Sequence, residues 1–107
     1  MNSDYSIVLS TCANKREAER IAGRLISDRS AACVNIIDKI TSVYRWKGKI
    51  EKDNECLLIV KTRADLVDRV EGTIDGFSSY ERPEVIVIPI IDGSEDYLRW
   101  IDESTKP

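Results

Sequence analysis

The stretch YRWKGKIEKDNE, Tyr44–Glu55, decides how this chain is read. Lys47-Gly48 is a two-residue turn signal with β-favouring residues on both sides. Upstream, Ala32–Trp46 has no Gly or Pro and is dense in Val, Ile, Thr and Tyr; downstream, Lys49–Arg63 is again strand-like. Asp53-Asn54 is the expected interruption, as a bulge or kink. An arm of Ala32–Trp46 at about 3.3 Å per residue reaches ~50 Å, whereas a compact domain of this size has a radius of gyration of about 13 Å. Such arms must bend sharply or leave their own domain. An unpaired ribbon end orphans backbone groups, and Val43, Tyr44 and Trp46 would gain from burial there. Strand sharing in a closed cyclic oligomer answers both needs, with those three residues at the interface. The competing reading is a monomer whose ribbon folds back at Asp53-Asn54.

The flanking sequence supplies a domain for the ribbon. Ser6–Ser10 reads as a buried strand. Asn14 then offers an N-cap with Glu17 three residues on. Ala18, Ile21, Ala22, Leu25 and Ile26 follow at helical spacing, and Lys15, Arg16, Glu19, Arg20 and Arg24 take the wet face. After the ribbon, Thr62 and Asp65 form a T-x-x-D cap signature. Leu66, Val67, Val70 and Ile74 make a second apolar stripe, closed by Gly76 at the C′ position. Glu84–Ile91 (EVIVIPII) is a further strand whose Pro89 marks an edge or bulge. Ser94 caps a short last helix carrying Tyr97, Leu98 and Ile101. The order β-α-β-β-α-β with a helical tail predicts an α+β, ferredoxin-like domain over residues 1–107.

Composition narrows the function. With 42% hydrophobic and 33% charged residues the chain is globular. Its longest apolar runs, Cys56–Val60 and Val85–Ile91, are far below the ~20 residues of a membrane span. No signal-peptide pattern is read at the N-terminus. A formal charge of -3 argues against a nucleic-acid surface. Histidine is absent, so there is no Ser-His-Asp triad, imidazole base or histidine zinc site. The three cysteines, Cys12, Cys33 and Cys56, are widely spaced and odd in number, which fits free thiols in a reducing, cytoplasmic setting.

Five stretches in order, AACVNI (Ala31–Ile36), TSVYRWKGKIE (Thr41–Glu51), Lys61-Thr62, YERPEVIVIPI (Tyr80–Ile90) and DYLRWI (Asp96–Ile101), resemble the CutA family of divalent-cation tolerance proteins. The resemblance implies a ferredoxin-like fold close to PII-like signalling proteins. It also implies a tight, heat-stable homotrimer built through the long hairpin, a link to copper and divalent-metal tolerance, and no enzyme reaction. In copper-binding members a cysteine ends the first strand and histidines precede the Y-x-x-P-E segment. Here Ser10 and the Ser78-Ser79 pair hold those positions, so the soft ligands are missing.

The candidate metal ligands are accordingly Cys12, Cys33 and Glu84. Cys12 is two residues beyond Ser10 and on the same strand face; its competing reading is a buried, idle thiol. Cys33, opposite Thr62 by simple hairpin counting or opposite Lys61 or Arg63 across a bulge, would gain reactivity beside a cation. Cys33, Lys61, Tyr80 and Glu84 form the candidate ligand site, and the plainer alternative is a Lys61–Glu84 salt bridge between subunits. Cys56 is read as core. No cofactor is required, and any Cu2+ or other divalent cation is expected to bind weakly, because carboxylates suit hard ions. The rivals are a PII-like sensor of a small anion, an enzyme using Cys33, Tyr80 or Glu84, and an RNA-binding domain, which lacks its basic, aromatic sheet face here.

Overall fold

The computed structural model describes residues 3–107. Strand β1 (Tyr5–Cys12) alternates half-buried and buried residues along its whole length, the signature of a strand covered on one face. Helix α1 (Lys15–Ser27) follows. The Asn14 side chain accepts from Glu17 N–H, and the Glu17 carboxylate accepts in turn from Ala13 N–H, so the expected cap is present with its return bond shifted by one residue. Ala18, Ile21 and Leu25 bury its inner stripe, and Ile26 is left exposed.

The ribbon is β2 (Cys33–Trp46) and β3 (Lys49–Arg63). Its turn has Lys47 at φ 49° and Gly48 at φ 81°, both left-handed. That is the type I′ geometry that matches strand twist. The interruption lies on the other arm from the one expected. Ile37 pairs with Leu57 and Ile40 with Glu55, so Asp38 and Lys39 together face the single residue Cys56. Lys39 takes φ 59°. Asp38 Oδ1 accepts from Lys39 N–H at 2.8 Å and from the Cys56 thiol at 3.1 Å, which holds the extra residue in place. Asp53 and Asn54 pair regularly with Ser42 and Thr41.

Past the ribbon a 3-10 turn (Ala64–Leu66) leads into α2 (Val67–Phe77). Thr62 is no cap: it is fully buried on the helix-facing side of β3, and its hydroxyl donates to the Ser30 carbonyl at 2.6 Å. Gly76 lies within α2, which ends at Ser78. Strand β4 is shorter than read, Ile86–Pro89, and α3 (Glu95–Ser104) begins at the expected Ser94 cap. The sheet order is β2-β3-β1-β4, antiparallel throughout. Helices α1 and α2 cover one face over Val8, Cys12, Cys56, Leu58 and Val60. The Tyr5 hydroxyl, on the other face, donates to Asp102 of α3 at 2.6 Å. The rest of that second face carries Ile37, Ile86 and Ile88, each more than two-fifths exposed.

Thr62→Val should cost about 1–3 kcal/mol, the penalty for leaving the buried Ser30 carbonyl without its donor. Denaturant unfolding at fixed protein concentration measures it, and a neutral result would contradict the buried role given to Thr62.

Candidate functional site

The bulge sets what the ribbon presents. Directly opposed residues share a face, so Ser42, Tyr44 and Trp46 stand with Asp53, Glu51 and Lys49 on the side of the open sheet face. The segment between α2 and β4 crosses the same side. Together they enclose a cleft of about 600 Å3 whose polar groups include Glu55, Tyr80 and Glu84. This falls in the size range of small-ligand sites, about 300–1,000 Å3.

Tyr80 donates its hydroxyl to Glu55 Oε2 at 2.6 Å. Burial first, then that bond, raise the Tyr80 phenol well above its ordinary value. Tyr44 likewise donates to Asp53, which together with partial burial pushes its pKa up to about 12. Glu84 is half-buried and no salt bridge is formed to it among the described residues. Burial, and then the charge of Glu55, hold its carboxyl above the ordinary 4.5. Across the rim the guanidinium of Arg82 lies 5.3 Å from the Trp46 ring centre and the Lys47 ammonium 5.7 Å from it. The Lys47 ammonium also meets Glu81 at 3.7 Å. The cleft therefore has an aromatic wall, a cationic rim and a carboxylate floor.

The other candidate residues are elsewhere. Cys33 is the cross-strand partner of Lys61, one of the positions open to it across a bulge, and Lys61 Nζ donates to Asn35 Oδ1 at 2.6 Å. Lys61 pairs with Ile7 on β1, whereas Glu84 lines the cleft with Thr11. Four residues of strand separate those positions, roughly 13 Å. Within one chain, then, Lys61 and Cys33 sit at one end of the sheet and Tyr80 and Glu84 at the other. Cys12 is 1% exposed and faces the helices. Burial, then Glu17, push its thiol up to about 12. Cys12, Cys33 and Glu84 do not converge, and no group of three or more His, Cys, Asp or Glu side chains placed to hold a metal ion occurs among the described residues. Glu55 is the site residue that sequence reasoning missed. Its signal was the stripe Glu51, Asp53, Glu55, which alternation puts on one strand face.

Residues 6–104 match the family described as CutA1 divalent ion tolerance protein. The chain belongs to this family. It is 45% identical over 100 residues to "Protein CutA 1, chloroplastic" of Oryza sativa, covering 94% of this chain and 56% of that protein. It is 38% identical over 99 residues to the divalent-cation tolerance protein CutA of Thermus thermophilus, covering 92% of this chain and 96% of that one. The chain thus spans about half the length of the plant and mammalian CutA relatives and nearly all of the Thermus one. The crystal structure of the stable CutA1 from the psychrotrophic bacterium Shewanella sp. SIB1 superposes with a TM-score of 0.95 at 30% identity over the full length of both chains. The CutA1 fold therefore accounts for the whole described chain, with its antiparallel four-stranded sheet and three helices.

The raised Glu84 carboxyl has a stability consequence. The folded chain binds that proton more tightly than the unfolded chain, so raising the pH from the ordinary value of 4.5 through the higher folded value removes stability. Glu84→Gln should be the more stable protein at pH 7, by less than about 1 kcal/mol given partial solvent screening. The gain should vanish below pH 4.5, where wild-type Glu84 is protonated in both states. Paired melts across this range check it; a gain that persists in acid contradicts the titration.

Proposed function

We propose that this CutA1 protein acts without enzymatic chemistry in the tolerance of divalent metal ions, as a homotrimer that holds a divalent cation weakly between Glu55 and Glu84. The observation that carries the metal reading is a half-buried Glu84 facing a second carboxylate in an open cleft. Bringing a cation between two carboxylates relieves both the repulsion and the burial cost. Two carboxylates make a hard donor set, so the site favours ions such as Mg2+, Ca2+ or Mn2+ and gives Cu2+ no soft ligand. The Thermus relative's description as a divalent-cation tolerance protein points the same way. The alternative, a PII-like sensor of a small anion, draws on Arg82 and Lys47 at the rim. Both cations already lie over Trp46, which ranks it second.

The trimer rests on surface that a single copy leaves wet. Val43 is 65% and Ile50 71% exposed on the helix-side face of the ribbon, and Ile37, Ile86 and Ile88 form a separate exposed apolar patch on the open sheet face. Exposed apolar side chains on both faces of an extended ribbon are what strand-sharing copies would cover. Subunits meeting there would bury Val43 and Tyr44 and bring one copy's Lys61 toward another's Glu84.

Calorimetric titration with Mg2+, Ca2+ and Mn2+ should give dissociation constants around ~10⁻⁴–10⁻³ M, as for weak oxygen-ligand sites, and Glu84→Gln should abolish the heat. Tight binding untouched by that substitution would sink the metal reading. Sedimentation and light scattering should give three copies, with Ile88→Asp shifting mass toward one copy. The native assembly should melt above the ~45–65 °C of ordinary mesophile domains. A folded single copy at dilute concentration would overturn the assembly.

A further inference from the structure

The β1–β3 register brings Cys12, a candidate metal ligand in the sequence, against Cys56, which the sequence reading left in the core. Cys12 lies directly opposite Cys56, and both side chains face the helices at 1% and 0% exposure. Ala64 N–H donates to the Asp4 carbonyl at 2.8 Å. Counted along the ladder, this makes each even-numbered β1 residue, Cys12 included, one half of a hydrogen-bonded pair. Opposed Cβ atoms then stand at the wide end of about 4.5–5.5 Å, against ~3.8 Å for a relaxed disulfide. That separation is wider than a relaxed disulfide takes, and both thiols are free, which leaves room between the sulfurs for an ion bonded to each at about 2.3 Å.

Two further observations give the pair the character of a site. A groove of about 270 Å3 reaches Cys56 between Asn14, Lys15, Asp38 and Lys39, with the Asp38 carboxylate 3.1 Å from the thiol sulfur. Ser10 Oγ, on the same strand face and fully buried, has no hydrogen-bond partner. A buried hydroxyl without a partner is rare, and this one lies two residues along β1 from Cys12 on the same face.

We infer that Cys12 and Cys56 form a binding site for a soft, thiophilic d10 cation, held between the two sulfurs and reached through the Asp38 groove. Two thiols and one monovalent ion give a bis-thiolate complex and two protons: two S–H bonds break, two metal–sulfur bonds form, and nothing is oxidised. Thiolates select such ions over hard ones, so this site and the Glu55–Glu84 cleft sort cations by softness. Binding of this kind weakens as the pH falls. A linear ion needs only two ligands, which agrees with the absence of a three-ligand cluster among the described residues.

Ag+ is a redox-inert probe for the reduced, full-length chain in its native assembly. Native mass spectrometry should show one Ag+ per chain, and a weakly buffered titration should release two protons per ion. In cysteine-labelled protein the 13Cβ resonances of Cys12 and Cys56 should move while that of Cys33 stays. Cys33→Ser should bind as the wild type does. Cys12→Ala and Cys56→Ala should each weaken binding more than about 100-fold, beyond the 10–100-fold loss of an outer-sphere partner. The labelled wild-type spectrum decides the matter even where a variant fails to fold. Movement of Cys33 alone, or Ag+ uptake no faster than unfolding, overturns the proposal.

Discussion

One additional residue in β2 governs which side of the ribbon meets the rest of the protein. Below the bulge, Cys33, Asn35 and Ile37 occupy the open face; above it, Ile40, Ser42, Tyr44 and Trp46 do. A strand repeats every two residues, so without the insertion Tyr44 and Trp46 would project to the opposite side, away from Glu55 and Tyr80. The device holding it is small. Asp38 satisfies the N–H of left-handed Lys39 with one carboxylate oxygen and draws in the Cys56 thiol with the same atom. That thiol hydrogen bond is also the main reason the Asp38 carboxyl lies below its usual range.

The cleft is therefore a product of register rather than of any local motif. Tyr80 and Glu84 come from the segment before β4, Glu55 from β3, and Tyr44 and Trp46 from β2. Each phenol is spent on a carboxylate, Tyr80 on Glu55 and Tyr44 on Asp53. Glu84 alone among the floor residues is both half-buried and lacking such a donor. Among the described residues the core on the other face holds no carboxylate: Val8, Leu58 and Val60 pack there against Ile21, Leu25 and Ile74.

Features governed by neighbours in sequence were legible in the amino-acid order. The Asn14 and Ser94 caps, the Lys47-Gly48 turn and the succession of elements all depend on contacts within a few residues. Tyr80 and Glu84 were legible through the segment that carries the family resemblance. Features set by distant partners were not. Asp53-Asn54 has stronger turn chemistry than Asp38-Lys39, but the bulge forms where Cys56 offers Asp38 a donor from across the ladder. Thr62 fits a capping pattern, but its place on the buried side of β3 gives it to the Ser30 carbonyl. Glu55 and the Cys12–Cys56 pairing became visible only once β1, β2 and β3 were aligned.

Pro89 carries a consequence for how far such a protein can grow. Ile90 N–H donates inward to the Tyr5 carbonyl, and the β1–β4 register places the Ile86 and Ile88 amides inward as well. The outward positions of β4 are Val87 and Pro89, and proline has no N–H to give. The free border of the sheet thus presents one amide donor where an incoming strand would want two. At the β4 edge a missing hydrogen atom weakens the strand addition through which sheets stack edge to edge.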